Sequence, residues 1–472
     1  MINRPFVALL VSASLLSGCA SLRAEKSSPL VQIAPGAWSG YLQSSGIGIG
    51  VAPTPLWQSL NDPLLNNLVR KAHTASLDIA IATSRVREAR ANERAQVASQ
   101  GPNVGINGSA TINRQSENGL IPAGRLPGIE TEYTLFDAHF DANWEIDLFG
   151  RKDARRDVAT AQMQSQEEAL RDVQASLTAE LCRNYINLRG AQAEKQQLAI
   201  IVDRQQKLLT AVKLKRRHGE VSDVDVERST AQLSDFQARQ PALDIAIRGA
   251  IYRVSVLIGQ QPDALTGSLI AVVPLPDPAS ELTADISSDV LRRRADVRKT
   301  ERDYIVAARN RDLKALDIYP TFSLFGAAGP TAKSLLDLFN PASLAANLGA
   351  LVSWPLFDGG RRRAEVAAAD EKRVQAELNY RRTVLMALED VETAALRYVE
   401  AGHERENVRA TREARARVAG MEHVRLRGGT GTTPELLTAE RDQAEAELAL
   451  ARLNTRTLTE RIALEKALGI GA

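Results

Sequence analysis

Aromatic residues, long apolar runs and an excess of either charge are all missing from this chain. Aromatic side chains make up only 4% of its 472 residues, and a core with few large rings suits helices packed closely side by side. After residue 18 no stretch approaches the roughly 18 consecutive apolar residues of a transmembrane helix. Lys and Arg total 59 against 57 Asp and Glu, so the basic bias typical of nucleic-acid binding is absent.

Motifs for catalysis and metal binding are also lacking. The five histidines are scattered along the chain, and neither a His-Glu-x-x-His zinc motif nor a Gly-x-Ser-x-Gly elbow occurs. The glycine-rich segment 46–50 has no preceding strand and no phosphate-loop spacing. Asp137, His139 and Asp141 share one strand face, which a hydrated wall explains more simply than a metal site. The sequence therefore predicts no enzyme, no cofactor and no metal.

The N-terminus predicts export and a lipid anchor. An apolar stretch from Phe6 to Leu16 leads into the tetrapeptide Leu-Ser-Gly-Cys that ends at Cys19. This pattern matches a lipoprotein signal peptide over residues 1–18, after which Cys19 becomes the acylated first residue. Ala20 is not the aspartate that often retains lipoproteins in the inner membrane, which favours the outer membrane. The alternative is an ordinary signal peptide with a chance cysteine.

The chain repeats itself at an offset of 210 residues. The matched positions are Trp144 with Trp354, Gly150 with Gly360, Arg151 with Arg361, Arg217 with Arg427, Gly219 with Gly429 and Ser222 with Thr432. Upstream of the tryptophans the offset is 218, which aligns Pro102 with Pro320. We therefore predict a duplicated architecture. Its segments are a signal peptide at 1–18, linkers at 19–56 and 262–287, and structural repeats at 57–261 and 288–472.

Two proline-free runs, Arg151 to Arg217 and Arg361 to Arg427, predict long helices. Apolar residues recur at steps of three and four in the first run, which is typical of a coiled-coil seam. At 1.5 Å per residue each run would form a helix on the order of 100 Å long. The alternative is several shorter helices broken near glycine. Cys182, within the first run, fits a buried small residue rather than a reactive thiol.

Both runs end in the same way, with glycine at Gly219 and Gly429 suited to a left-handed helix cap. A capping-box spacing follows in each copy: Ser222 to Asp225, and Thr432 to Glu435. Helices then return to about Gly259 and Gly469, with a kink predicted at Pro241. The sequence therefore predicts two antiparallel helical hairpins.

The segments before the tryptophans alternate instead. Apolar residues occupy the even positions of 103–113 and 134–146, and more weakly those of 321–326 and 347–354. Such strands suit an outer-membrane barrel with tryptophan at headgroup level, or a soluble sandwich, and periodicity alone does not decide. Four strands cannot close a barrel, because the smallest have about eight. Three chains would supply twelve strands and an aqueous path.

Motifs along nearly the whole chain resemble the TolC/OprM-like outer membrane factors, in their lipoprotein branch of outer membrane efflux proteins. These motifs span 57–63, 144–151, 292–297, 355–361 and 466–469. The resemblance implies a mixed α+β, mainly α fold. It comprises a trimeric 12-stranded outer-membrane β-barrel, four strands per chain, continued by a long α-helical coiled-coil barrel, with short equatorial helices in 57–98 and 288–317.

The function implied by the resemblance is a passive outer-membrane exit duct of a tripartite efflux pump, carrying small molecules such as drugs. The implied partners are two further copies in a homotrimer, a periplasmic membrane-fusion adaptor, an inner-membrane transporter of the RND type and outer-membrane lipid. The implied location is the outer membrane of a Gram-negative bacterium, lipid-anchored and extending into the periplasm. The alternatives are a lipid-anchored periplasmic coiled-coil scaffold or adaptor, and an exit duct for protein secretion.

The resemblance also assigns roles to single residues. Candidate adaptor contacts are Gly219, Ser222, Gly429 and Thr432. Candidate gate residues are Arg427, Thr438 and Arg441, with Asp223, Asp225, Glu435 and Glu440 as acids that would offset repulsion between arginines at the trimer axis. Candidate strand-to-helix turns contain Trp144, Gly150, Arg151, Trp354, Gly359, Gly360 and Arg361. Thr438 departs from the aspartate common in relatives, and capping or solvation alone would also explain these residue types.

Overall fold

A computed structural model describes residues 55–60, 62–116, 130–275 and 292–470. The signal peptide and the predicted lipid anchor at Cys19 lie outside the described residues. None of the helices within those ranges combines the length and apolar character needed to cross a membrane.

The described residues form ten α-helices and four β-strands. The helices are α1 (Leu56–Ser59), α2 (Pro63–Ala75), α3 (Leu77–Ala98), α4 (Arg151–Arg217), α5 (Asp223–Ala238), α6 (Gln240–Leu257), α7 (Thr266–Leu269), α8 (Ala295–Leu316), α9 (Arg361–Arg427) and α10 (Thr433–Ala467). The strands are β1 (Asn103–Arg114), β2 (Glu132–Ile146), β3 (Thr321–Ala332) and β4 (Leu344–Ser353). The mainly helical α+β prediction is therefore confirmed.

The chain divides into two compact units. One contains residues 96–158 and 307–374, and thus the four strands with the helix ends beside them. The other contains the described parts of 37–95, 159–306 and 375–472, and thus most of the helical hairpins.

Both long helices are uninterrupted and contain 67 residues each. The Asp147 carboxylate begins α4 by accepting the backbone N–H groups of Arg151 and Lys152 at 2.9 and 2.8 Å. Past the C-terminal ends of α4 and α9, Gly219 and Gly429 take positive φ values of 76° and 73°. Residues without a side chain adopt this left-handed conformation at little cost. The predicted limits of both helices are confirmed.

The return helices differ between the two copies. Residues 223–257 form two helices, α5 and α6, which separate at Arg239 where Pro241 enters the first turn of α6. Proline cannot donate the backbone hydrogen bond of a helix interior, so the predicted kink is a complete break. The second copy has no proline at the equivalent position, and α10 continues for 35 residues.

The strands form one antiparallel sheet in the order β1-β2-β3-β4. Its register pairs even-numbered residues with even-numbered residues throughout, as in Ile106 with Phe140, and Leu324 with both Trp144 and Ala350. Side chains at even positions therefore share one face of the sheet.

Equivalent hydrogen bonds support the internal duplication. The Trp144 indole Nε1 donates to the Gln100 carbonyl at 3.0 Å, and the Trp354 indole Nε1 donates to the Ile318 carbonyl at 3.3 Å. The two tryptophans are related by the offset of 210 residues and the two acceptors by the offset of 218. This pair of equivalent hydrogen bonds thus reproduces both predicted offsets.

The apolar core of the hairpin unit is built on the predicted seam of α4. Leu181, Tyr185 and Leu188 are fully buried, and they belong to one cluster with residues of α2, α6 and α10. Cys182 is buried in the same cluster. Burial raises the pKa of its thiol to about 12, so the thiol stays protonated and inert.

Gly190 of α4 permits close packing against α10, because a Cβ atom there would overlap the side chain of Thr455. A Cβ atom at Gly402 of α9 would meet nothing within 4 Å in one chain. We predict that Gly190→Ala lowers the free energy of unfolding by about 1–3 kcal/mol through overpacking. Gly402→Ala should raise it by about 0.5–1 kcal/mol through helix propensity. Thermal denaturation followed by circular dichroism measures both, and changes of the same sign would contradict the packing assignment.

Candidate functional site: the two sheet faces and the hairpin ends

One face of the sheet is a continuous apolar surface. Its even-numbered positions are apolar or glycine, apart from Arg114, Glu132 and Thr134 at one end. Large side chains on it are exposed, with Ile106 72% and Leu348 86% accessible. Monomeric soluble proteins rarely expose an apolar patch that covers a whole sheet. This face therefore needs an apolar environment outside the single chain.

The opposite face is mainly polar and hydrogen-bonded along β1 and β2, whereas β3 and β4 also place the apolar side chains of Phe325 and Leu351 on it. The Asn107 amide donates to the Asp141 carboxylate at 2.5 Å, and the Thr331 hydroxyl donates to Asp137 at 3.1 Å. His139 contacts the same Asp137 carboxylate. No group of three or more metal-ligating side chains is placed to hold an ion in the described part of the chain. This face suits contact with water.

The outer edges of the sheet are the third feature of this unit. Within the described residues, β1 pairs only with β2, and β4 pairs only with β3. Each outer strand therefore presents a row of backbone donors and acceptors along one side. Such an edge is a template for pairing with another strand.

The two strand-to-helix turns lie between β2 and α4 and between β4 and α9. Gly150, Gly359 and Gly360 take φ values of 80°, 64° and 88°. The Arg151 guanidinium is buried beneath the turn, and its Nη2 donates to the Leu316 carbonyl at 2.8 Å. Arg361, its counterpart in the second copy, instead pairs with Glu365 one turn along α9 at 2.6 Å. The duplicated turns thus use their arginines differently.

The end of the first hairpin contains the predicted capping box and an ion pair. Asp225 accepts the backbone N–H and the hydroxyl of Ser222 at 3.0 and 2.7 Å. Asp223 pairs with Arg216 at 2.6 Å, across the turn from α4 to α5. These contacts hold the pKa of each carboxyl below its ordinary value, mainly through the side-chain bond from Ser222 to Asp225 and from Arg216 to Asp223. Both carboxylates therefore make their hydrogen bonds and ion pairs within their own hairpin.

The second hairpin end has an equivalent cap. Glu435 accepts the Thr432 backbone N–H at 2.8 Å, and the Thr432 hydroxyl accepts the Glu435 N–H at 3.5 Å. The backbone N–H of Thr432 is the main cause that lowers the pKa of the Glu435 carboxyl. Thr432 and Glu435 therefore have a structural role that accounts for their spacing.

Glu440 connects the two hairpins. Its carboxylate lies 3.1 Å from Arg204 Nε on α4 and 2.9 Å from His423 Nε2 on α9, and its side chain is only 14% exposed. Sequence reasoning included Glu440 but missed Arg204 and His423. Arg204 lies far from any turn motif, and although His423 lies near the end of α9, no local pattern links either residue to Glu440.

The candidate gate arginines differ in their surroundings. Arg441 is 17% exposed, contacts Asp442 at 2.8 Å and reaches the Gln205 amide oxygen on α4 at 3.4 Å. Arg427 is exposed at the end of α9 and donates to the His423 carbonyl of its own helix. Thr438 is half-buried on α10. Within one chain the structure does not bring Arg427 together with Arg441.

A short sheet with one apolar and one polar face, combined with two long helical hairpins, is the fold of an outer-membrane channel subunit. The family model described as outer membrane efflux protein matches residues 68–260 and 286–470, and the chain belongs to this family.

Several curated relatives match over nearly their whole length. The chain is 26% identical to outer membrane protein OprJ of Pseudomonas aeruginosa, covering 98% of this chain and 95% of that protein. It is 27% identical to the multidrug resistance outer membrane protein MdtP of Escherichia coli O157:H7, covering 100% and 98%. The solved outer-membrane channel OprN is 29% identical with a TM-score of 0.82, covering 91% and 95%.

The cap at Glu435 predicts a pH-dependent hairpin end. In the folded protein the pKa of the Glu435 carboxyl is lowered from 4.5. The cap is therefore fully stabilising above pH 4.5, and it weakens as the pH falls through the pKa of the folded protein. We expect the backbone amides that follow Thr432 to exchange faster relative to their intrinsic rates below about pH 4.5. Glu435→Gln keeps the capping geometry without a titrating group, and should remove this pH dependence. Hydrogen exchange with mass spectrometry measures both, and an equal pH dependence in the two proteins would exclude Glu435 as its source.

Proposed function

We propose that this chain is the passive outer-membrane exit duct of a tripartite efflux system. The observation that carries the proposal is the four-stranded sheet, which has one apolar face, one polar face and two unpaired edges. In lipid each unpaired backbone group costs several kcal/mol, so neighbouring copies must pair β4 of one chain with β1 of the next. Three copies give a twelve-stranded barrel with an aqueous interior.

The proposed partners follow from the relatives. MdtP is named a multidrug resistance protein, and OpmQ of Pseudomonas aeruginosa, 24% identical, is named for pyoverdine export. For this chain we propose a homotrimer whose hairpin ends meet a periplasmic membrane-fusion adaptor. An inner-membrane transporter of the RND type would supply the energy, since the duct itself is passive. The exported cargo is proposed to be small molecules.

The duct should conduct ions when reconstituted. Purified full-length protein is added to planar lipid bilayers, and single-channel currents are recorded. Migration on a denaturing gel is compared with and without heating, because a closed membrane barrel resists detergent until heated. Discrete channels and a heat-modifiable band support the duct. A protein that gives neither would be a lipid-anchored scaffold or adaptor instead.

The two faces of β1 predict opposite responses to a new charge. Ile106 lies on the apolar face and Ser109 on the polar face of the same strand. A lysine facing lipid near the bilayer centre costs about 2–4 kcal/mol per chain, so Ile106→Lys should strongly reduce the membrane-inserted, heat-modifiable form. Ser109→Lys should insert like the unaltered protein. Quantified heat-modifiable bands from membrane fractions make the comparison, and equal insertion of both variants would mean that the faces are assigned wrongly.

The hairpin ends are proposed as the adaptor contact and the gate. Gly219, Ser222, Gly429 and Thr432 form the two capped turns that an adaptor would contact. Arg427, Thr438 and Arg441 are proposed to line the constriction at the trimer axis. Within one chain the candidate acids Asp223, Asp225, Glu435 and Glu440 contact Arg216, Ser222, Thr432 and Arg204 instead, so their proposed pairing with the gate arginines would form only between copies of the chain. Adaptor binding would then displace these contacts and open the duct.

Charge reversal at Arg441 tests the gate. Arg441→Glu places a third acid beside Asp442 and Glu445, which lie 2.8 and 3.8 Å from the arginine. Like charges at this spacing repel, so we predict longer and larger single-channel openings. Arg452→Glu reverses a charge elsewhere on α10, where Arg452 pairs with Glu194 at 2.7 Å, and should leave gating unchanged. Closed behaviour of Arg441→Glu, or an equal effect of Arg452→Glu, would refute the gate assignment.

A further inference from the structure

A polar cavity of about 270 Å³ lies in the unit that contains the sheet, beside the ends of β3 and β4 and the beginning of α9. Four cationic side chains and two acidic ones line it: Arg151, Lys314, Arg361, Arg362, Asp317 and Glu365. The lining therefore carries two more positive than negative charges. Sites for drug-sized ligands measure about 300–1,000 Å³, so this cavity suits a smaller group.

The two acids are already shared among the cations. Glu365 pairs with Arg361 at 2.6 Å and lies 3.7 Å from Lys314. Asp317 lies 3.5 Å from the same lysine and 3.7 Å from Arg151 Nε. Each carboxylate thus serves two cations. Arg151 and Arg362 also pair with Glu145 at 3.4 Å and Asp358 at 3.9 Å, but these two acids do not line the cavity, so the surface that faces the cavity keeps its positive excess.

Two guanidinium groups at the cavity have buried donors with no acceptor. The Arg151 side chain is only 8% exposed, and its Nε atom makes no hydrogen bond to any described residue. Arg362 Nη1 is buried and equally unpartnered within the described chain. A buried donor without an acceptor costs about 1–3 kcal/mol. Both nitrogens are closed to the cavity as the guanidinium groups now lie, so an added oxygen acceptor would reach them only after these side chains shift.

The beginning of α9 adds to the positive potential. A helix N-terminus carries partial positive charge from its unpaired N–H groups. The first turn of α9 contains no acidic residue that would offset it. The Asp358 carboxylate before the helix accepts the N–H groups of Gly360 and Arg362 at 3.1 and 3.3 Å, and its carbonyl accepts that of Arg361 at 3.2 Å. Asp358 thus offsets part of this potential, and the N–H of Arg363 is left without a partner among the described contacts.

We propose that this cavity is a binding site for an oxyanion of the phosphate class. Guanidinium groups present paired donors that match phosphate oxygens, and lysine adds a point charge. Thr321 and Ser353 line the cavity from odd positions, on the polar face that also carries Asp137. The site is therefore reached from the hydrated side of the sheet. Free phosphate, a phosphorylated solute and a lipid headgroup share the chemistry it recognises.

Titration calorimetry on the full-length protein tests the site. One arm uses inorganic phosphate, and the other uses a short-chain phosphatidylglycerol below its micelle concentration. Binding of inorganic phosphate, with or without the lipid, would support an aqueous source, and binding of the lipid alone would support a headgroup. Failure of the wild-type protein to bind either probe would overturn the proposal.

Matched arginine variants identify the residues responsible. Arg361 and Arg381 both lie on α9, and each pairs with a glutamate four residues away at 2.6 Å. Arg361→Gln removes a cavity charge and should weaken binding about tenfold or more, as expected for a lost charge-assisted hydrogen bond. Arg381→Gln should bind like wild type. Equal affinity of all three proteins would overturn the assignment. Conductance of the same preparations is recorded in parallel, so a conducting protein that binds neither probe refutes this site and leaves the exit duct standing.

Discussion

Backbone groups along the outer edges of β1 and β4 have no strand partner within the described chain, and this constraint determines which assemblies the sheet can form. An open sheet with a fully apolar face is unstable in water through exposure of that face, and unstable in lipid through its edges. Both problems are solved together when copies of the chain join edge to edge around a hydrated axis. The polar face, with Asp137 and Asp141, then lies against water.

The helical unit is stabilised by packing between helices instead of by pairing between strands. Its core is built mainly from Leu, Ile and Val around the α4 seam, and small residues such as Gly190, which faces Thr455, allow helices to pack closely. The helices α4 and α9 are uninterrupted over 67 residues each, and neither contains a proline. Where proline does occur, at Pro241, the return helix breaks.

The sequence predicted the features that depend on local chemistry. The limits of α4 and α9 follow from glycines that need positive φ. Strict alternation predicts β1 and β2, and a weaker alternation predicts β3 and β4. The contacts of Glu440 were not predictable, since Arg204 lies 236 residues away along the chain and no periodic pattern links them. The same holds for the cation-lined cavity, where Arg151 and Arg361 occupy equivalent positions of the repeat but form different contacts. Duplication predicts the backbone better than it predicts side-chain partners.

The central claim is that one chain supplies only part of a closed barrel. Native mass spectrometry of the full-length protein, released from detergent micelles in the gas phase, counts the chains in each particle. Three chains per particle are predicted, with no stable population of single chains. A particle that remains a single folded chain would contradict the account, because its apolar sheet would then be stable with both edges unpaired.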